Sequence, residues 1–393
     1  MHSICDELVR SGHECIWWTA NFSHHTKSYR SEGWKDIDVK PNYKIRLVPT
    51  PAYYQHVSIA RLKFHLTWSW RIYKRGVGEP RPDCIIVNDA PLGDSYFALL
   101  LAQKFNAKLI LDITDQWPEH FLLAFPSQLR GLVNFAFGPL YAIRRYVRRR
   151  ADAISALCEG YFDVVRRELS GAKRIPLLTV FNGVDVAAFR KVLNEPSEIT
   201  ELGLNKTSNE VWVVYAGTIG RTYDIAAILE AARLLEKRQL PVRFIVAGDG
   251  PLRPDVERLA QRQGARLNYL GRLKPQELIQ IYKMCDIGLC AYGLDSTVAM
   301  PDKVYDYMVA GLPIINSLRG ELENLLRDRR IGIQYKAGDP DSLVDALEYL
   351  AGDESHRKQM AWDSYDIAMQ FDRHVQYQKF VDLVESLLSD AEQ

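Results

Sequence analysis

Between residues 211 and 320 a short apolar run ends four times in a glycine-bearing loop, with a helical pattern close behind. Trp212 to Ala216 leads into Gly217-Thr218-Ile219-Gly220-Arg221, and Phe244 to Ala247 into Gly248-Asp249-Gly250-Pro251. Leu267 to Leu270 leads into Gly271-Arg272-Leu273, and Ile314-Ile315 toward Gly320-Glu321. Continuous apolar strands alternating with helices are the signature of a parallel sheet covered on both faces. All the loops then lie at the carboxyl ends of their strands, the edge where open α/β sheets bind ligands. Helices that begin there point free N–H groups and the positive end of their dipole at the occupant, which favours phosphate. Pro301 anchors a helix over Lys303 to Ala310, and Gly311-Leu312-Pro313 stops it. Gly217 and Gly220 let the main chain approach a diphosphate, and Arg221 offers charge-assisted bonds to it. Asp306 either accepts the hydroxyls of a ribose or is a solvated helix residue.

The first half follows the same logic. A helix over Ile4 to Arg10 precedes a strand from Glu14 to Thr19, and Asn21 to Lys27 forms a polar loop. His24 and His25 in that loop suit metal, phosphate or plain surface. Tyr43 to Val48 reads as a strand and Ile59 to Tyr73 as an amphipathic helix in which Trp68 and Trp70 pack. Asp83 to Val87 and Lys108 to Ile113 are further strands, which deliver Asp89 and Asp115 to one sheet edge. A helix-cap role is favoured for Asp89. Ala153 to Leu157 is the last strand of this half, and the domain boundary is placed at 175. A doubly wound domain normally opens with a strand and a glycine-containing loop, whereas here a helix starts at the first Met. The strands Glu14 to Thr19 and Asp83 to Val87 are expected to lack a neighbour. The expectation is that the gene encodes roughly 15–25 further upstream residues, enough for one strand and its loop.

Residues 121–150 differ in character: apolar and aromatic residues lead into Arg144, Arg145, Arg148, Arg149 and Arg150. That combination suits an anionic lipid surface, which is favoured over a core helix with a solvated basic end. A chain of 393 residues predicts two domains or slightly more. Its net charge of +1 argues against bulk nucleic-acid binding, so any positive patch is local. The six Cys lack metal-ligand spacing and read as buried thiols of a reducing compartment. No apolar run is long enough to span a bilayer, and the start carries no signal-peptide pattern.

Tyr215 to Gly220, Val246 to Pro251, Leu270 to Leu273, Cys285 to Leu289 and Pro301 to Met308 together resemble family 4 retaining glycosyltransferases. Asn21 to Lys27 and Asp112 to Glu119 resemble the branch that builds bacterial surface polysaccharides and glycolipids. The resemblance implies a GT-B fold: α/β, two Rossmann-like doubly wound domains facing across a cleft, the first strand of the N-terminal domain being absent before Met1. Residues 1–175 would bind the acceptor, with the helix 372–393 packing back on them, and residues 176–371 the nucleotide sugar. It further implies that Asp115, Arg221 and Lys303 are catalytic. Gly217, Gly220, Gly248, Gly250, Gly271, Arg272, Asp306, Gly320 and Glu321 would bind the donor, and His24, His25, Trp117 and Glu119 would line the acceptor side. This chain departs from the family pattern in having Val298 and Asp306 where two Glu are common, and Thr114 where many members have His.

The expected reaction moves a sugar from a nucleoside-diphosphate donor, with retention, to a hydroxyl on a lipid-linked or saccharide acceptor. It would proceed by electrostatic stabilisation of the leaving group, with no metal or other cofactor. The alternatives are a nucleotide-sugar 2-epimerase and a non-catalytic nucleotide-sugar binder; an NAD oxidoreductase would need a G-x-G-x-x-G opening that is not there. The implied location is the cytoplasm, peripheral at the inner face of the cell membrane, with residues 121–150 on the lipid.

Overall fold

The computed structural model describes residues 2–24, 26–55, 58–122, 125–196 and 204–392. They form two units, Met1–Phe181 with Gln376–Gln393, and Asn182–Val375.

The first unit begins with α1 (His2–Arg10), β1 (Cys15–Ala20), β2 (Phe22–Ser23), β3 (Ser28–Tyr29), β4 (Lys35–Lys40), β5 (Tyr43–Val48) and α2 (Ile59–Gly76). It continues with β6 (Cys84–Asn88), α3 (Leu92–Phe105), β7 (Lys108–Ile113), α4 (Glu119–Leu122), α5 (Arg130–Ala136) and α6 (Gly138–Arg148). β8 (Ala153–Ala156), α7 (Phe162–Glu168) and β9 (Leu177–Thr179) complete the run. The strands make a parallel sheet in the order β6-β7-β8-β9, a three-stranded sheet in the order β1-β5-β4, and a small β2-β3 hairpin. β4 pairs antiparallel to β5; the alternation in Lys35–Lys40 is polar enough to hide it from a search for apolar runs. The two strands expected to lack a neighbour are β1 and β6, and each stands at the edge of its sheet.

Five of the six residues of β7 and all of β8 are buried, as strands covered on both faces must be. Leu99, Leu111, Val147, Phe162 and Val165 form the core on one side. Ile4, Leu8, Ile110, Phe380 and Val384 form it on the other. The last two come from the long C-terminal helix, so residues far apart in sequence share one core. β9 pairs with β8, which moves the division from 175 to Phe181.

The second unit continues with α8 (Val186–Asn194), β10 (Val211–Ala216), α9 (Ile225–Lys237), β11 (Val242–Ala247), α10 (Arg253–Ala260), β12 (Leu267–Tyr269) and α11 (Pro275–Met284). β13 (Ile287–Cys290), α12 (Asp302–Val309), β14 (Ile314–Asn316), α13 (Glu321–Arg329), β15 (Gly332–Gln334), α14 (Pro340–Gly352) and α15 (Glu354–Ile367) follow, and from Gln376 the last helix, α16 (Arg373–Glu392), belongs to the first unit. Its six strands are all parallel, in the order β12-β11-β10-β13-β14-β15. The order reverses direction at β10, which places a switch point beside the loops that follow β10 and β13. Every residue of β10, β13 and β14 is buried.

Tyr307 explains how α12 is seated. Its ring lies against Gly288, where an added Cβ would stand 2.5 Å from ring carbons. Its hydroxyl accepts from the Ala216 N–H at 3.3 Å and lies 3.3 Å from the carbonyls of Val214 and Leu289, donating to one at a time.

Candidate active site

In the second unit the loops after β10 and β11 are in van der Waals contact. Gly217 takes φ 151° and Gly248 φ 145°, and a Cβ on Gly248 would stand 1.8 Å from the Gly217 carbonyl oxygen. Only glycine permits that approach. The Ile219 N–H donates to the Asp249 carbonyl at 2.9 Å, and the Leu252 N–H to Ile219 at 3.0 Å. A Cβ on Gly250 would stand 2.4 Å from the Ile219 carbonyl oxygen, whereas Gly220 has ordinary room. The Gly271 carbonyl accepts from the Gly248 N–H at 2.8 Å, tying in the loop after β12.

Lys303, one residue into α12, reaches this wall. Its Nζ lies 2.9 Å from where a Gly217 Cβ would stand. It is 4.3 Å from the ring centroid of Tyr215, 5.1 Å from that of Tyr292 and 5.5 Å from that of Tyr223. The stem is partly exposed, but Nζ is enclosed and has no hydrogen-bond partner. Burial pushes its pKa down to about 8. An ammonium held only by ring faces lacks the partner that buried charges normally have, and an anion at Gly217 would supply one. The three tyrosines escaped the sequence reading, because a ring at a strand end looks like core until the cation beneath it is seen.

Arg221 and Arg272 are exposed, and neither guanidinium forms a hydrogen bond or ion pair among the described residues. Both are available to a ligand at this edge. Asp306 is placed differently. Burial and the neighbouring Asp302 raise its pKa to about 7 against the opposing charge of Arg373. The charges that act on it are therefore those of Asp302 and Arg373, and Lys303 is not among them. Asn182 donates to Asp302 at 3.0 Å. A carboxyl that is half protonated near neutrality both donates and accepts, which suits a diol.

At the N-terminus of α13, Gly320 takes φ 89°, but its N–H donates to the Glu323 carboxylate at 3.3 Å. Glu321 and Glu323 both sit in the first turn. The positive dipole end expected to meet phosphate is thus partly offset from within the helix.

In the first unit, Asp115 is exposed after β7, and its carbonyl accepts from the Trp117 N–H at 3.1 Å. Trp117 and Glu119 are held by Arg144, which donates to the Trp117 carbonyl at 2.6 Å and to Glu119 at 2.7 Å. Burial alone would raise the Glu119 pKa; the Arg144 hydrogen bond and charge outweigh it and leave the carboxyl below its ordinary value. Glu119 therefore organises the turn as an ion-pair partner. His24 bonds Tyr53 through Nδ1 at 2.6 Å, and His25 lies outside the described residues.

Two expectations for this unit are corrected. Asp89 is no helix cap: it is buried and paired with Arg148 at 2.6 Å, and α3 has Pro91 at its cap position. Arg148 also meets Glu168 at 2.7 Å, as does Arg144. Two of the five clustered arginines thus face inward, where carboxylates rather than lipid offset them. Trp68 and Trp70 both pack as expected: Trp68 donates to Asp94 at 3.2 Å, and Trp70, half exposed, meets the Phe97 ring with centroids 6.5 Å apart. Among the described residues, no group of three His, Cys, Asp or Glu side chains is placed to hold a metal ion. No helix there is long and apolar enough to cross a membrane.

Both halves of the chain match family models, a glycosyl transferase 4-like domain over residues 1–183 and glycosyl transferases group 1 over residues 210–353. The chain is 25% identical over 280 residues to the alpha-D-kanosaminyltransferase of Streptomyces kanamyceticus, covering 68% of this chain and 67% of that one. It is 26% identical over 216 residues to the alpha-monoglucosyldiacylglycerol synthase of Streptococcus pneumoniae, covering 53% of this chain and 47% of the relative. HepE of Anabaena, solved in complex with UDP, superposes with a TM-score of 0.62 at 15% identity over 87% of this chain and 86% of its own.

Proposed function

Because the chain belongs to the family 4 glycosyltransferases of GT-B fold, we propose that it transfers a sugar from a nucleoside-diphosphate donor, with retention, to a hydroxyl of a lipid-linked or saccharide acceptor. The observation that carries the donor is Lys303, a buried cation without a hydrogen-bond partner beneath the Gly217 loop. Departure of a diphosphate concentrates negative charge on its oxygens, and a preorganised cation lowers that barrier most where water is excluded. Exposed Arg221 adds a second charge from the same loop, and the loop amides complete the cradle. Asp306 takes the ribose hydroxyls and Arg272 borders the base. On the acceptor side, Asp115 and Trp117 border the incoming hydroxyl. No metal is assigned a step.

A UDP-sugar is the first donor to try, since a structure of the same fold carries UDP. One relative's name contains a diacylglycerol product, which supports a lipid acceptor. Exposed Leu129, Leu132 and Phe135 on the same segment as exposed Arg145, Arg149 and Arg150 support docking of residues 121–150 on anionic lipid. The reading is tested by incubating the protein with nucleoside-diphosphate sugars and an extract of lipid-linked and saccharide acceptors. Acceptor-dependent release of nucleoside diphosphate, with the anomeric configuration kept, is expected. Binding of the donor with no transfer would leave a nucleotide-sugar binder instead.

A further inference from the structure

A groove on the first unit brings together two exposed tryptophans and a set of charged side chains that the reaction as derived does not use. It encloses about 740 Å³, and Glu32, Trp34, Trp70, Arg71, Lys74 and Arg75 are among the residues that line it. That volume falls within the range of about 300–1,000 Å³ usual for small-ligand clefts. Trp34 immediately precedes β4, and the last four residues belong to α2. The groove therefore goes with the sheet β1-β5-β4, whereas Asp115 follows β7 in the four-stranded sheet. Trp70 and Lys74 are four residues apart on α2, as are Arg71 and Arg75, so each pair shares a helix face.

Both indoles are braced. Trp34 meets Trp18 edge to face, with centroids 6.1 Å apart, and the Arg75 guanidinium carbon lies 5.8 Å from its centre. The turn before it is pinned by Asn21, which donates to the Ser31 carbonyl at 2.8 Å, and by the Ser31 hydroxyl, which donates to the Gly33 carbonyl at 2.7 Å. Trp70 is flanked by Tyr73 and Phe97, at 6.4 and 6.5 Å between centroids. Even so, Trp34 stays 44% exposed and Trp70 51%. Rings held this firmly lose little freedom when a ligand covers them.

A sugar ring carries weakly positive C–H groups on its faces and hydroxyls around its rim. The faces are drawn to the negative face of an indole. The hydroxyls accept from indole N–H, ammonium and guanidinium groups and donate to a carboxylate. This groove offers each of those partners. Arg71 donates to the Pro49 carbonyl at 2.8 Å, and Arg75 is taken up by Glu79 at 3.0 Å. That leaves Arg71 and Lys74 against Glu32, a positive balance that favours a sugar bearing a carboxylate over a neutral one. Rings lining a concave groove suit a narrow ligand better than a flat lipid surface.

We propose that this groove is a saccharide-binding site for a short stretch of an acidic glycan, whose rings stack on Trp34 and Trp70 and whose carboxylate meets Lys74 and Arg71. It uses none of the residues assigned to transfer, so it retains a glycan chain independently of the reacting hydroxyl.

The test is calorimetric titration of the full chain with a tetragalacturonate, with maltotetraose as the neutral sugar and an octaglutamate peptide as the acidic control. The tetragalacturonate should bind, and maltotetraose several-fold more weakly. Trp34→Ala and Trp70→Ala should each weaken binding roughly tenfold through loss of a stacking face, while Trp70→Phe, which keeps a smaller face, should fall between. Lys74→Ala should cost the acidic sugar about three- to fivefold, the size of an exposed ion pair, and leave the neutral one unchanged. Asp115→Asn should bind as the wild type does. Far-UV circular dichroism checks that each variant is folded. No binding of either sugar overturns the site, as does binding that ignores both Trp substitutions or is lost in Asp115→Asn. Equal binding of maltotetraose overturns the preference for an acidic glycan, and equal binding of the peptide assigns the groove to a protein partner instead. The readout needs no turnover, so a failure here is separate from a failure of the glycosyl-transfer reading.

Discussion

The two units share an architecture and differ in how completely they close it. In the second unit β10, β13 and β14 are buried throughout. In the first unit β1, β4 and β6 contain no fully buried residue. Ile59, Leu62, Leu66 and Trp70 of α2 lie open to solvent, as do Leu132 and Phe135 of α5. Exposed apolar groups of this size, grouped on helices with basic residues, mark surfaces that meet something. The difference teaches that the second unit covers its central strands on both faces, while the first leaves apolar side chains of α2 and α5 outside its own core.

The strongest way to break this comparison is to empty equivalent amounts of apolar volume from each. Phe244→Ala, at a fully buried ring of β11, should cost about 3–5 kcal/mol in urea unfolding of its unit. Phe135→Ala, at a ring 83% exposed, should stay within about 0.5 kcal/mol. Similar losses at both would mean that the exposed ring is covered in solution.

A comparable effect is expected where the first unit is closed by charge instead of by apolar packing. Arg148→Met leaves Asp89 buried without its partner and should cost about 3–5 kcal/mol. Arg145→Met, at an exposed neighbour, should be close to neutral. If the two variants melt alike, the inward arginines do not organise that unit.

At the donor wall the effect is kinetic. Lys303→Ala and Arg221→Ala should each lower kcat/KM roughly tenfold or more, the size of one charge-assisted contact of about 1.5–3 kcal/mol. Unchanged kinetics in both would remove the site. Lys303 also carries a pH signature. Its folded pKa of about 8 lies below its ordinary 10.5, so between those values the unfolded chain holds the proton more tightly. The stability penalty is full below pH 8 and fades as pH rises toward 10.5. Relative to Lys303→Met, the wild type should therefore melt progressively higher above pH 8, while its affinity for nucleoside diphosphate falls. Parallel melting curves for the two proteins would count against a buried ammonium.

The smallest effect is expected at the lipid. The protein should float with anionic vesicles and release them as salt rises, each exposed basic group near the surface contributing about 1 kcal/mol. Phe135→Ser should reduce flotation without altering the fold. No flotation at low salt would favour a soluble acceptor.

The strand-and-glycine rhythm of residues 211 to 320 was legible because period and punctuation are local properties. It located β10, β11, β12 and β14 to within about two residues at each end. Lys303 was legible as a donor residue, but its ring cage was not, since Tyr215, Tyr223 and Tyr292 meet only after the sheet is ordered. The five-arginine run was legible only in part for the same reason: a helix shows its two sides only against neighbours, and Arg144 and Arg148 found carboxylates from Asp89, Glu119 and Glu168 while Arg145, Arg149 and Arg150 stayed exposed. β4 was missed because a polar edge strand has no apolar run to announce it.

Tyr307 gives the donor wall a thermodynamic reach beyond its own atoms. Because its hydroxyl bonds the Ala216 amide and approaches carbonyls of both β10 and β13, α12 cannot detach without loosening two central strands. Local opening there should coincide with opening of the sheet, so the amides of Ala216 and its neighbours should exchange with solvent only through the rarest fluctuations. Any ligand gripped by Lys303 would then slow deuterium uptake across the middle of that sheet, making isotope exchange at residues that never touch the ligand a reporter of occupancy.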